Sequence, residues 1–258
     1  MLRQAQHDKR AICYSVMGQL EDRLNRLRPL PESSWSGLTR LFAAEDIRFT
    51  WASNALEGNT LTLRETQRVL EDGATIAGKP LRDHLEAVNH AAAVRRMHEL
   101  AERGETLTVH VMIELHGLLM RGIDDVWAGR IRNDAVAIAG TRYRPPNADA
   151  ASAGVDDSFA RYAERRDRDD PVLVAADLHY EVARLHPFFD GNGRTARLLM
   201  NAHLLRHRYP PLIIEPDRRG AYLDALDTGQ ETGNADAFRL FVADAMLDAL
   251  EHYAKILK

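Results

Sequence analysis

The residue types able to do chemistry are concentrated in residues 186–197. This segment contains a histidine, an aspartate, a Gly-Asn-Gly turn and two arginines, in the order His186, Asp190, Gly191, Asn192, Gly193, Arg194 and Arg197. The two glycines allow backbone N–H groups to turn toward one point, and a helix that starts there adds its positive end, which suits a phosphate. The arginines lie three positions apart on that helix, so both can face the same anion.

The histidine and the aspartate extend this set. His186 is the group in the segment that can accept a proton near neutral pH. Asp190 beside a phosphate site suits Mg²⁺, which prefers carboxylate and phosphate oxygens. Together these groups indicate nucleotidyl or phosphoryl transfer. A plain helix end followed by a glycine turn and a solvated helix start is the structural alternative, and the fixed offsets of the other polar residues argue against it.

The segment resembles the signature of the Fic domain family, H-x-F-x-(D/E)-G-N-G-R-x-x-R, at every specified position. The resemblance implies an all-α core and transfer of AMP from ATP to a Ser, Thr or Tyr hydroxyl of a target protein. The related phosphotransferases, the Doc-like toxins, depart from Gly-Asn-Gly, so the intact turn favours AMP transfer. The resemblance to the Fic family also implies a role for each motif position. His186 would be the base, Phe188 a core anchor and Asp190 the Mg²⁺ ligand. Gly191, Asn192 and Gly193 would bind the phosphates and the oxyanion, and Arg194 and Arg197 would bind the outer phosphates. His186, Asn192 and Arg194 form the implied catalytic set.

Two other stretches resemble the same family. The flap of residues 128–146, which in the family holds the target segment by strand-like pairing, is indicated by Gly129, Arg130, Ile131, Arg132, Val136 and Ile138. The stretch Tyr222–Leu226 resembles the part that packs on adenine. Some family members have an asparagine near the adenine, seven residues after that tyrosine. This chain has Gly229 there, a departure from the pattern.

Residues 53–58 resemble the family's inhibitory motif, (S/T)-x-x-x-E-(G/N). In that motif the glutamate, here Glu57, pairs with the second signature arginine, here Arg197. A carboxylate held there would remove the arginine from a γ-phosphate and repel that phosphate. Ser53 lies one helical turn earlier and can bond within the same site. Ser and Glu four apart are also common on solvated helices, but the intact signature favours auto-inhibition.

The elements that position these residues are predicted to be helical almost throughout. Residues 128–146 lose the helical period, and Val136–Ile138 and Arg142–Arg144, on either side of Gly140, predict a small β-hairpin. We expect an all-α fold with an N-terminal helical region, 1–105, and a core, 106–258. In the N-terminal region, helices are predicted through Ile12, Val16, Leu20, Leu24 and Leu27 as far as Pro31, from about Ser34 to the inhibitory motif, from a Thr62/Glu65 capping box to Leu70, and over 81–100. In the core, a helix is predicted from an N-cap at Thr108 to Arg121. Further helices are predicted from about Ser152, over 171–185 and 193–208, from about Asp217, and from Ala235 onward.

Composition restricts the setting. The chain has 258 residues and a formal charge of −4, so nothing suggests a nucleic-acid or anionic-membrane surface. Cys13 is the only cysteine, and the N-terminus lacks the apolar stretch of a secretion signal. We therefore expect a cytoplasmic protein. The sequence leaves the oligomeric state open, and the base rate of assemblies favours a homodimer. His203 and His207, four apart and flanked by arginines, are interpreted as a solvated basic helix face rather than a metal site.

Two alternative functions stay open. The same site could remove AMP from a modified protein, with the inhibitory glutamate positioning a water molecule. A non-catalytic regulatory module is the third interpretation, and the intact His186 argues against it.

Overall fold

The computed structural model describes residues 32–138 and 140–256, together with Gln19, Asp22, Asn25, Arg26 and Arg28. Most of the predicted first helix, residues 12–31, lies outside the described residues, and so does Cys13. The described helices are α1 Glu32–Ala55, α2 Leu63–Asp72, α3 Leu81–Glu102, α4 Val109–Met120, α5 Ala148–Arg165, α6 Pro171–Leu185, α7 Asn192–Arg206, a short 3₁₀ helix Pro216–Arg218, α8 Arg219–Thr232 and α9 Asp236–Ile256.

Several helix starts follow from local capping. The Thr62 side chain accepts from the N–H of Glu65, and Glu65 returns a bond to the N–H of Thr62, so the predicted capping box is confirmed. Thr108 caps α4 through the N–H of Val111, as predicted. Asn147 caps α5 through the N–H of Ala150, which sets its start a turn before the predicted position. These caps satisfy N–H groups that a helix leaves unpaired.

Helix α7 is the centre of the molecule. It packs against α3, α4 and α6, and its residues from Arg194 to Leu205 are all buried. One apolar cluster joins it to α3, α4 and α5, and a second joins it to α6, α8 and α9. A helix buried on every side has no solvent face, and α7 begins at the Gly-Asn-Gly turn. The core thus fixes the position of that turn.

Residues 53–58, which resemble the inhibitory motif, lie where α1 ends. Helix α1 packs on α3 and contacts α7, and Phe49, Ala52 and Leu56 near its end are buried. This packing directs the residues that follow Ala55 toward the start of α7. No helix in the described part of the chain is both long enough and apolar enough to cross a bilayer.

The predicted β-hairpin is wrong for the described residues of 128–146, which contain no strand. An isolated two-stranded ribbon is marginal in water, and here a side chain holds the two arms. The buried guanidinium of Arg132 donates to the carbonyl of Asp134 at 2.6 Å on one arm and of Pro146 at 2.6 Å on the other. Gly140 forms a turn at a φ of 83°. The segment is an extended loop held by one arginine.

Candidate active site

His186 ends α6 in the left-handed region, at a φ of 49°. Its Nδ1 lies 3.3 Å from the carbonyl oxygen of Ala183, which can only accept, so Nδ1 carries the proton and Nε2 keeps a lone pair. Its own carbonyl accepts from Arg132 Nε at 2.8 Å. Burial lowers the pKa of His186, and Arg132 lowers it further, against the opposing effects of the Ala183 bond, Glu57 and Asp190. The imidazole is therefore suited to accept a proton at Nε2.

Asn192 closes the loop between the two helices. Its Oδ1 accepts from the N–H of Phe188 at 2.9 Å, and its Nδ2 donates to the Phe188 carbonyl at 2.8 Å. The Phe188 ring is fully buried, as expected of a core anchor. The Asn192 side chain thus shapes the loop, and its main-chain N–H is the group left for an anion. The first N–H groups of α7 have no acceptor within the helix.

Asp190 and Arg194 are held together beside the turn. Asp190 Oδ1 accepts from the N–H of Gly191 at 2.5 Å and from Arg194 at 3.2 Å, while Arg82 of α3 binds Oδ2. Burial opposes ionisation of Asp190, but Arg194, the Gly191 N–H and Arg82 outweigh it and lower the pKa of this carboxyl. Arg194 is buried and also lies 3.2 Å from Glu86 of α3. The carboxylate of Asp190 is therefore ionised and 45% exposed.

Arg197 meets the end of α1. Its Nε donates to Ser53 Oγ at 2.9 Å, and one terminal nitrogen donates to the Ser53 carbonyl at 2.9 Å and to Glu57 Oε1 at 2.7 Å. The other terminal nitrogen bonds the Tyr222 hydroxyl at 3.3 Å. The Arg197 side chain is 1% exposed, whereas the Glu57 side chain is 39% exposed. The structure thus brings together the two residues that the inhibitory motif predicted for this arginine.

Glu57 lies against the Gly-Asn-Gly turn as well. A Cβ atom added to Gly193 would lie 2.3 Å from Glu57 Oε1 and 3.0 Å from the Arg197 side chain. Only a glycine at this position leaves room for that carboxylate. The glutamate therefore occupies space directly beside the first turn of α7.

A cavity of about 330 Å³ opens beside these groups. His186, Gly193 and Glu57 line it on one side, and α8 lines it on the other through Arg219 and Tyr222. The flap contributes Ile138, Gly140 and Thr141. His186, the turn at Gly193, Glu57 and the loop of residues 128–146 therefore face a common space.

Tyr222, predicted beside the adenine, lines this cavity but directs its hydroxyl into the core. The hydroxyl lies between Arg197 and His179 Nε2, the latter at 3.2 Å. The departure at Gly229 also has a structural reason. A Cβ there would lie 2.6 Å from the Tyr180 ring, so this position has no room for the asparagine of other family members.

The family model described as Fic/DOC family matches residues 106–204, which include the whole of the 186–197 segment. This chain belongs to the Fic/DOC family. A relative from Culex quinquefasciatus, named protein adenylyltransferase Fic, is 34% identical over 221 residues, covering 84% of this chain and 43% of the relative. The chain spans less than half the length of this relative and of two relatives from Drosophila persimilis and Drosophila pseudoobscura pseudoobscura with the same name.

Solved structures confirm the all-α fold. Fic-1 (aa134–508) from C. elegans superposes with a TM-score of 0.78 at 28% identity, covering 99% of this chain and 74% of that one. A Fic domain containing signaling protein from Bacteroides thetaiotaomicron superposes with a TM-score of 0.76 at 27% identity, covering 94% and 96%. The second is matched over nearly its whole length, so the N-terminal helices as well as the Fic core have counterparts there.

Sequence reasoning missed His116 of α4, which contacts the 186–197 segment at Phe188 and Asp190. Its ring stacks on Phe188, with centroids 3.6 Å apart. The N–H of Gly129 donates to Nδ1 at 3.0 Å, so the proton is on Nε2, which donates to the Asp190 carbonyl at 3.1 Å. Burial lowers the pKa of His116 to about 4 and keeps the ring neutral. A histidine on an apolar helix has no sequence signal that reveals these partners.

Glu86 and His179 were missed for the same reason. Glu86 Oε1 accepts from Arg82 at 3.0 Å and lies beside Arg194, so this buried carboxylate links α3 to the signature helix. His179 is fully buried on α6 and supports the Tyr222 hydroxyl. Both residues are placed by helix packing rather than by any local motif.

The interpretation of His203 and His207 as a solvated face is wrong. His203 is fully buried, and its Nδ1 lies 3.0 Å from the Tyr162 hydroxyl. Its ring centroid lies 4.5 Å from that of His207. The physical reason is that α7 is surrounded by other helices, so its polar side chains face the core. No group of three or more potential metal ligands occurs among the described residues.

Proposed function

We propose that this chain is an auto-inhibited protein adenylyltransferase that moves AMP from ATP to a Ser, Thr or Tyr hydroxyl of a target protein. The observation that carries the proposal is that His186, Gly193 and Glu57 line one cavity. The names of the curated relatives agree with it.

In the proposed reaction one bond to phosphorus forms, one breaks, and His186 takes up the released proton. The target hydroxyl oxygen attacks the α-phosphorus of ATP, its proton passes to Nε2 of His186, and the bond to the leaving pyrophosphate breaks. Backbone N–H groups at the start of α7 stabilise the oxygen charge that develops. Arg194 and Arg197 then neutralise the outer phosphates as they leave.

Mg²⁺ fits this site through one protein ligand. Asp190 is ionised and partly exposed beside the phosphate turn, and Mg²⁺ commonly binds one carboxylate together with substrate phosphates. When bound, the ion neutralises charge on the phosphates. Asp190→Asn should raise the Mg²⁺ concentration needed for ATP binding, while metal-free binding of adenosine changes little. Unchanged Mg²⁺ dependence of ATP binding, measured by calorimetry, would remove Asp190 as the ligand.

Inhibition is proposed to act through Glu57. Its carboxylate engages Arg197 at 2.7 Å and occupies the space beside Gly193, so a γ-phosphate would meet a negative charge and lose a cation. The extended backbone of the flap is proposed to pair with the target segment. The cytoplasmic setting and the homodimer stay predictions.

The test separates AMP transfer from other chemistry. Glu57→Gly protein is incubated with a cell lysate and ATP labelled at either the α- or the γ-phosphate. Label from the α-phosphate alone is expected on target proteins, and Glu57→Gly/His186→Ala protein should give none. Label from the γ-phosphate would indicate a kinase and overturn the proposal.

The reverse reaction is the second candidate, because the partly exposed Glu57 carboxylate faces the cavity and has room for a water molecule. A target labelled by the Glu57→Gly protein is purified and returned to each variant without ATP. Loss of label with wild-type protein but not with Glu57→Gly protein would support AMP removal. Retention with both would leave transfer as the function.

A further inference from the structure

The flap is a positive segment on an acidic protein. Residues 128–146 contain four arginines and one aspartate, a formal charge of +3, whereas the whole chain has −4. One of the four, Arg132, is buried and holds the flap arms together. The other three, Arg130, Arg142 and Arg144, are exposed.

These three exposed arginines differ from most others in the molecule. Within the described part of the chain, none of their side chains has a hydrogen bond or an ion pair. By contrast, Arg96 pairs with Glu105 and Glu114, and Arg239 pairs with Asp177 and Asp236. An exposed arginine without a partner is usually just solvated. The position of these three residues beside the site is what gives them significance.

The flap lies directly beside the proton acceptor. Arg132 donates both to the carbonyl of His186 and to that of Pro146, which fixes the arm containing Arg142 and Arg144 near the site. Exposed and half-buried residues alternate along this arm, with Arg142 and Arg144 outward and Tyr143 inward between them. A target segment lying along the flap would therefore meet a row of cations.

The flap backbone is available to such a segment. The N–H and C=O groups of Val136 and Ala137 make no hydrogen bond to the backbone of another described residue. Main-chain pairing of this kind provides affinity without sequence preference. Side chains flanking the pairing segment must then provide the specificity.

We propose that the flap selects target segments with acidic residues flanking the modified hydroxyl, an inference that rests on the proposed transferase function. Guanidinium groups bind carboxylates through paired donors, which favours Glu and Asp over neutral side chains. Because the chain as a whole is negative, long-range attraction gives no help, and the preference arises at the flap. Salt should weaken it, since exposed charges are screened beyond about 10 Å at 0.1 M.

The test measures peptide binding directly. Two fluorescent peptides share a central threonine in an extended sequence, flanked by glutamates in one and by glutamines in the other. Their affinity for the wild-type protein is measured by anisotropy at low salt. Three exposed pairs should favour the acidic peptide by about tenfold. Equal affinities, including no measurable binding of either peptide, would overturn the inference.

Matched variants locate the effect. Arg142→Gln/Arg144→Gln should remove most of the preference. The control is Arg64→Gln/Arg68→Gln, which removes two exposed arginines from α2 and should leave the preference intact. Equal losses in both variants would mean a general charge effect and would also overturn it. Because no ATP is present, this result is independent of the labelling assay, in which absence of α-phosphate label would count against the transferase itself.

Discussion

At the scale of single residues, the proposed proton transfer depends on the protonation state of His186. The carbonyl of Ala183 fixes the proton on Nδ1, so Nε2 can accept one only while the ring is neutral. Burial, the largest influence, lowers the pKa of His186 and keeps the ring neutral below its ordinary titration range. Glu57 acts in the opposite direction: it raises the pKa of His186 and makes the ring easier to protonate.

This predicts the pH profile of the active variant. In Glu57→Gly protein, kcat/KM should rise with pH through the pKa of His186 and then level off, with a midpoint below 6.5. Loss of Glu57 moves the midpoint further down, because Glu57 raises this pKa. Adding His186→Ala should cost about 10²–10⁴ in rate and abolish this limb of the profile. A midpoint above 6.5 would contradict the burial argument.

At the scale of elements, the proposed inhibition depends on how the end of α1 meets α7. Arg197 has two functions in the proposed mechanism: it holds Ser53 and Glu57 at rest and a γ-phosphate in the active state. Arg219 of α8 supports the resting arrangement by donating to the Leu56 carbonyl at 3.0 Å. A sheltered, charge-assisted bond contributes about 1.5–3 kcal/mol.

Removal of the glutamate should therefore activate the protein. Glu57→Gly should raise AMP transfer by roughly ten- to a hundredfold, measured as auto-modification alongside ATP binding. Glu57→Gln keeps the side-chain size without the charge and should give a smaller increase. Arg197→Ala should stay weak, and the double variant Glu57→Gly/Arg197→Ala should resemble it. If neither measurement changes in Glu57→Gly protein, residues 53–58 are an ordinary helix end and the inhibitory interpretation is wrong.

The flap gives a second prediction at this scale. Arg132 donates to carbonyl groups on both arms and at His186, which a single lysine ammonium cannot do. In a Glu57→Gly background, Arg132→Lys should raise the KM for a target protein by roughly ten- to a hundredfold, as expected for lost bonds to a charged group. The Kd for ATP should change little. Arg64→Lys, at an exposed arginine of α2 outside the flap, is the matched control and should leave both values unchanged. A parallel loss of ATP binding in Arg132→Lys would mean general damage to the site.

At the scale of the whole molecule, four histidines of the described residues are at most 2% exposed: His90, His116, His179 and His203. Burial lowers the pKa of each, to about 4 for His116 and about 3 for His203. Between the folded pKa and the ordinary value of 6.5, the unfolded chain binds a proton that the folded chain does not. The free energy of unfolding must therefore fall as pH falls below 6.5.

Urea unfolding at pH 7.5, 6 and 5 should show this loss. Each buried histidine contributes a slope of up to about 1.4 kcal/mol per pH unit. His203→Gln should reduce this slope by up to about 1.4 kcal/mol per pH unit, which corresponds to one proton, whatever its effect on the free energy of unfolding at pH 7.5. The exposed His110 is the control, and His110→Gln should leave the slope near that of the parent. An unchanged slope in His203→Gln would mean that the buried ring is protonated in the folded state.

The features that the sequence alone determined are those set by local chemistry. The capping residues Thr62 and Thr108 satisfy nearby N–H groups, and the glycines around Asn192 permit a tight turn wherever the chain places them. The order of residues in the 186–197 segment was therefore enough to indicate the family and the transfer chemistry. The same local reasoning predicted most of the helices, to within about a turn at their ends.

The tertiary structure decided which distant groups meet. The helices α3, α4 and α6 surround α7, and this packing buries His116, Glu86 and His179. Because a buried polar group is unstable without a hydrogen-bond or ionic partner, each of them binds a neighbouring group in the site. The predicted hairpin failed because Arg132, rather than strand pairing, joins the arms of the flap. His203 is buried although Arg206, His207 and Arg208 follow it within five residues. In each case the outcome depends on which surface another helix covers, and no short stretch of sequence contains that information.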